Sequence, residues 1–135
     1  MRVFVDTSAF LAVLDADDQG HSAVARAWSD LVAGEHELVT SSYVLVETFA
    51  LVQSRLGIEA SRALDQDLLP AVGILWLDDD VHRAAVSALL TAGRRQLSLV
   101  DCASFETMRR HGITTALALD SHFGEQGFKV QPAHL

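Results

Sequence analysis

The chain has 135 residues, half of them apolar, and its ten basic and 18 acidic side chains leave a net charge of −8. That length fits one compact domain, 1–135, with a real core, and the acidic balance argues against a protein that grips nucleic acid through a broad basic face. The first apolar run meets a charge at Asp6 and no stretch approaches about 18 apolar residues, so neither a signal peptide nor a membrane span is indicated and a cytoplasmic location is expected. The eight glycines and two prolines punctuate the chain without forming a linker, and no repeat is visible. The single cysteine, Cys102, has no disulfide partner and reads as a small buried residue.

In chain order, Val3-Phe4-Val5 is a short continuous apolar run, as expected of a strand buried on both faces, and Thr7 or Ser8 offers an N-cap for a helix through Leu14. A second helix spans about Ser22 to Val32 and stops at Gly34. Leu38-Val39-Thr40 forms a short strand, and a helix from Ser42 to Leu56 ends at Gly57. A further helix fills Glu59 to Leu69, and Ile74-Leu75-Trp76-Leu77 reads as strand. Asp78-Asp79-Asp80 then starts a helix to Leu90 with Gly93 beyond it, and Leu99 to His111 is helical, ending at Gly112. Ala116 to Leu119 reads as a buried strand, Asp120 to Gln126 as a short helix and Phe128 to Val130 as a last edge strand. Strands alternating with helices imply a three-layer α/β/α sandwich around a mostly parallel sheet.

Four carboxylates stand out within this pattern. Asp6 and Asp120 each close an apolar strand just before a helix, where open α/β sheets bind ligands, although an N-cap explains either residue taken alone. Glu47 is the only charge between Tyr43 and Val52. A helix apolar all round is expected to be buried on most sides, which would oblige this carboxylate to neutralise, pair with a cation or bind metal, unless it snorkels to solvent. Asp101 follows Ser98 at the spacing of a capping box, which accounts for it without any other role. Elsewhere, Asp15, Asp17 and Gly20 match the opening of a calcium loop, but its twelfth position is Arg26 where a bidentate Glu is required. The histidines show no zinc-like spacing.

Taken together, the four acids in their order and strand-helix contexts resemble the PIN-domain ribonucleases, specifically the VapC-type toxins of prokaryotic toxin-antitoxin pairs. The resemblance runs through Val5-Asp6-Thr7-Ser8, Ser42-Tyr43-Val44-Leu45-Val46-Glu47, Leu97-Ser98-Leu99-Val100-Asp101-Cys102-Ala103-Ser104-Phe105 and Leu119-Asp120-Ser121-His122-Phe123, with Gly127-Phe128 after it. It implies a PIN-like sandwich with Asp6, Glu47, Asp101 and Asp120 around one or two Mg²⁺ or Mn²⁺ ions. Some relatives carry a hydroxyl residue where this chain has Ala118, and some a further acid where His122 and Phe123 stand, which leaves Asp120 to act either directly or through water.

The expected chemistry is endonucleolytic hydrolysis of RNA by metal-activated water, leaving 5′-phosphate and 3′-hydroxyl ends, since hard divalent cations prefer oxygen ligands and leave positions open for a phosphodiester. Thr7, Ser8 and Ser98 are candidates to support the ligands, and Arg94 and Arg95 to contact RNA phosphates. The toxin resemblance implies a homodimer and an antitoxin protein partner. Two alternatives stay open: a receiver-like, Mg²⁺-binding phospho-acceptor domain, for which Lys129 would be the reactive lysine, and a non-catalytic PIN-like binding module.

Overall fold

The computed structural model of the protein describes residues 1–133. Its centre is a sheet of five parallel strands, β1 (Arg2–Val5), β2 (Glu37–Ser41), β3 (Val72–Leu75), β4 (Thr115–Leu117) and β5 (Lys129–Gln131), in the order β3-β2-β1-β4-β5. Phe4 lies opposite both Val39 and Ala116, so β1 is the central strand. Val3, Phe4 and Val5 are all fully buried. That is why this strand is apolar without alternation: both of its faces are covered.

The parallel strands are connected by α1 (Thr7–Leu14), α2 (His21–Ala33), α3 (Ser42–Leu56), α4 (Ile58–Ala63), α5 (Asp79–Ala92), α6 (Leu99–Arg110) and α7 (His122–Glu125). The chain runs outward from β1 to β2 and β3, then returns across the sheet to β4 and β5 on the other side of β1. Right-handed crossovers in opposite directions place helices on opposite faces of the sheet, which produces the three-layer sandwich. The reversal also opens a crevice between the carboxyl ends of β1 and β4, where such sheets bind ligands.

Aromatic packing fastens the later elements to this frame. Phe123 of α7 meets Phe105 of α6 edge-on at 5.1 Å between ring centroids and lies 6.3 Å from Phe4 of β1. Burying each such ring stabilises the fold by roughly 1.5–3 kcal/mol. At the other end of the chain, Trp28 packs against Phe10.

Several element boundaries differ from the sequence expectation for local reasons. Asp6, rather than Thr7 or Ser8, caps α1, accepting a hydrogen bond from the Ser8 N–H. The winding after Gly57 does not stay α-helical to Leu69: it widens over Leu64–Leu68, with the Leu69 N–H reaching back to the Leu64 carbonyl, and tightens over Leu69–Ala71. Pro70 explains the change, because its ring clashes with the carbonyl four residues back and it has no N–H to donate. Strand β3 begins at Val72 and ends at Leu75, opposite the last residue of β2, Ser41. Trp76, placed in the strand by its hydrophobicity, has nothing left to pair with and is 74% exposed. Strand β4 stops at Leu117 and α7 starts only at His122, so Asp120 stands in the bend between them.

One buried hydroxyl secures the end of the central strand. Thr40 Oγ1 donates to the Val5 carbonyl at 2.6 Å, and Thr40 is fully buried. Replacing it by the isosteric valine removes this bond, which costs about 0.5–1.5 kcal/mol. Thr40→Val is therefore expected to lower the urea midpoint without changing the slope of the unfolding transition; an unchanged midpoint would show that the bond contributes nothing.

Candidate active site

Three of the four carboxylates selected from the sequence meet in the crevice. Asp6 follows β1, Asp120 follows β4 and Asp101 lies in the first turn of α6; one carboxyl oxygen from each lies within 4.8 Å of the others. Asp6 is 4% exposed, whereas Asp101 and Asp120 are half-buried. Glu47 lines the same pocket from α3 but does not belong to this tight group.

Each of the three acids also has a structural task. Asp6 Oδ2 accepts from the Ser8 N–H at 3.2 Å and from the Ser8 hydroxyl at 2.7 Å. The Ser8 oxygen in turn accepts from the Leu119 N–H at 3.0 Å. This hydroxyl thus ties the segment after β1 to the segment after β4 and orients Asp6. Asp101 forms the capping box expected of it: its N–H donates to Ser98 Oγ and its Oδ2 accepts from the Ser98 N–H, each at 3.0 Å. Capping and membership of the cluster are compatible, because a carboxylate has lone pairs for both. Asp120 Oδ1 accepts from the His122 N–H at 3.0 Å. Thr7 is buried and accepts a hydrogen bond from Thr48 on α3, one residue from Glu47.

Helix α3 corrects one premise. Val46 is 67% exposed and Ala50 is exposed, so this helix is not buried on most sides, and Glu47 is only half-buried. The buried carboxylate of the pocket that must neutralise or meet a cation is therefore Asp6, not Glu47. An uninterrupted apolar stretch did not report burial here because part of the helix surface is apolar and faces solvent.

The two arginines expected to contact RNA phosphates, Arg94 and Arg95, stand outside the acidic pocket. Arg94 donates to Glu125 Oε2 at 3.1 Å and holds that carboxyl below the usual range. Gln96 and His122 line the pocket, as does Arg55, two turns along α3 from Glu47 on the same face as Leu51. The spacing 47, 51, 55 was the available signal, because residues four apart share a helix face. Lys129 lies on β5 opposite Thr115, at the amino end of the strands, and does not line this pocket, which removes the receiver-like arrangement.

The electrostatics favour a cation. The Asp6 carboxyl is raised from 3.8 to about 7: burial drives it up most, the charges of Asp120 and Asp101 add to the rise, and the hydrogen bonds from Ser8 oppose it. Three hard oxygen donors this close match the ligand chemistry of a divalent ion such as Mg²⁺, Mn²⁺ or Ca²⁺, and lie within reach of one ion whose ligands stand about 2.0–2.6 Å away. The group suits a divalent metal.

Residues 3–129 match the family described as PIN domain. The chain belongs to the PIN domain family. It is 34% identical over 132 residues to the 23S rRNA-specific endonuclease VapC20 of Mycobacterium tuberculosis, covering 96% of this chain and 98% of that protein. The crystal structure of VapC20, described as a sarcin-ricin loop cleaving toxin, superposes with a TM-score of 0.82 over 93% of this chain and 95% of that one. Ribonuclease VapC26 of the same organism is 29% identical over 129 residues, 90% of this chain and 89% of VapC26. VapBC2 of Rickettsia felis, solved bound to a DNA fragment from its promoter, shares the PIN fold at a TM-score of 0.73 with 13% identity, over 97% of this chain and 98% of that one.

The raised Asp6 value has a consequence for the stability of the metal-free PIN domain. Below about pH 4 the carboxyl is protonated in both the folded and unfolded states. Between about pH 4 and pH 7 the unfolded chain loses this proton while the folded one keeps it, so stability falls as pH rises, by on the order of a few kcal/mol in all. Asp6→Asn removes the effect. In denaturant melts without divalent ions, the variant is expected to gain on the wild type steadily from pH 4 to pH 7.5, and parallel profiles would refute this account.

Proposed function

We propose that the protein is a divalent-metal-dependent endoribonuclease and the toxin of a toxin-antitoxin pair. The observation that carries this reading is the convergence of Asp6, Asp101 and Asp120 at the sheet's switch point. The likeness to VapC20 and VapC26 along nearly the whole chain supports it. A binding module with no catalytic role has no use for a carboxyl kept nearly dry beside two like charges, since that arrangement costs stability.

Asp6, Asp101 and Asp120 would hold one or two ions, Mg²⁺ or Mn²⁺, with Glu47 completing the site from α3. Bound there, a divalent ion supplies positive charge to the phosphodiester and makes water acidic enough to act as a nucleophile near neutral pH. Ser8 keeps Asp6 in one orientation through two hydrogen bonds. Glu47, half-exposed on the pocket wall, is free to orient the attacking water or accept its proton. Departure of the 3′-oxygen leaves 5′-phosphate and 3′-hydroxyl ends. The net charge of −8 is no obstacle to an RNA substrate, because bound cations dominate the local field. An antitoxin and a second copy of the chain are the proposed protein partners, and exposed apolar side chains such as Val46 and Trp76 offer surface for such association.

Purified protein is expected to cut RNA with Mg²⁺ or Mn²⁺ and not with EDTA. Asp6→Asn and Asp101→Asn should each lower the rate by roughly a hundredfold or more, as expected when a ligand of a catalytic metal is lost. Melting curves separate inactivity from misfolding. Failure to cut any cellular RNA, together with growth inhibition that Asp6→Asn does not relieve, would sink the proposal.

Calorimetry tests the metal site by itself. Because Asp6 must lose its proton to bind an ion, the apparent Mn²⁺ affinity should rise about tenfold per pH unit up to about pH 7 and then level off. An affinity that does not change with pH would exclude Asp6 as a ligand.

A further inference from the structure

The acidic pocket continues into a second space. Ser8, Leu11 and Arg55 line both the pocket and an adjoining cavity of about 210 Å³, which is closed further by Leu119 and by Asp15 and Asp18 from the turn after α1. This is smaller than the roughly 300–1,000 Å³ of sites for drug-sized ligands, and suits a single ring system rather than a whole nucleotide. Leu11 and Leu119 supply apolar walls of the kind that hold an unstacked base by its faces. Both aspartates are fixed: Asp15 Oδ1 accepts the Asp17 N–H at 3.0 Å and Asp18 Oδ1 the Gly20 N–H at 2.7 Å, which leaves the second oxygen of each as a hydrogen-bond acceptor.

Arg55 stands at the junction. Among the described residues it is the only arginine or lysine lining either space, and its exposed guanidinium forms no ion pair. An unpaired guanidinium beside a site for phosphodiesters is suited to a phosphate oxygen pair, which it can meet in a planar, bidentate fashion.

We propose that this cavity receives the base next to the scissile phosphate, that Arg55 holds the RNA backbone between the two spaces, and that Asp15 and Asp18 select a base bearing an amino group over uracil. The inference rests on the ribonuclease reading above and gives it a specificity element. Carboxylates accept hydrogen bonds from exocyclic amino groups, and uracil has none. Single-stranded RNA is read in this way, through splayed bases whose edges meet fixed polar groups.

The test uses the full chain and synthetic single-stranded RNAs that carry each of the four bases on either side of a mapped cleavage site. With Mn²⁺, the wild type should favour amino-bearing bases over uracil by roughly tenfold at one flanking position. In Asp15→Asn/Asp18→Asn this preference should fall to within about threefold, since the amide can offer an amino group of its own where the carboxylate could only accept. Arg55→Ala should raise KM about tenfold with a smaller change in kcat, and Arg55→Lys should recover part of it, as for a group that binds substrate equally in the ground and transition states. Fluorescence anisotropy of a labelled 2′-O-methyl RNA, measured without divalent ions, should show the same loss of affinity in Arg55→Ala. RNA cleavage whose base preference survives the double substitution, or whose KM ignores Arg55, overturns this inference and leaves the ribonuclease reading intact. Absence of cleavage on every RNA, with no binding of the 2′-O-methyl probe, overturns both.

Discussion

A carboxyl group withdrawn from water beside two others of the same charge is an unfavourable arrangement, and the rest of the molecule is organised to maintain it. Asp6 reaches this position because β1 is the central strand, flanked by β2 and β4 and covered on both faces, so whatever follows Val5 emerges inside the structure. The return of the chain across the sheet brings Asp120 to the neighbouring strand end, and the start of α6 brings Asp101. The three are held together despite their repulsion because each is anchored by its own element, Asp6 after β1, Asp120 after β4 and Asp101 in α6. A site assembled in this way has its affinity for a cation stored in the fold before any ion arrives.

Polar groups of the site are shared with secondary structure. Asp6 caps α1, Asp101 and Ser98 cap α6, and the Ser8 hydroxyl joins Asp6 to the Leu119 N–H. A carboxylate committed to a helix start cannot swing freely, so its remaining lone pairs point in a settled direction. The question of whether such an acid is a cap or a functional group therefore has no single answer at Asp101, where the same side chain serves helix and cluster.

Much of this was legible in the sequence. The alternation of short apolar runs with helical segments led to the sandwich, Gly34, Gly57 and Gly93 marked helix ends, and α3 runs from Ser42 to Leu56 as its capping and glycine signals indicate. The acids following β1 and β4 were found because they interrupt apolar runs. What failed has a common cause: hydrophobicity was taken for burial. Trp76 continues the apolar run of β3 and Val46 belongs to a helix apolar all round, yet both face solvent, since tertiary neighbours and not side-chain character decide what is covered. Glu47 lines the pocket from α3 at half-burial, while Asp120 joins Asp6 and Asp101 in the tight group. Arg55 lies eight residues from Glu47 on the same face of α3, and the course of that helix past the crevice brings it to the pocket.

The chain's two tryptophans occupy opposite environments. Trp28 is packed against Phe10 in the core at 9% exposure, while Trp76 stands in solvent just beyond β3 at 74%. Their fluorescence accordingly divides into a blue component that follows the integrity of the interior and a red, readily quenched component that follows the surface. Within a single unlabelled sample, unfolding and association at the far side of β3 would thus report in different parts of one emission spectrum.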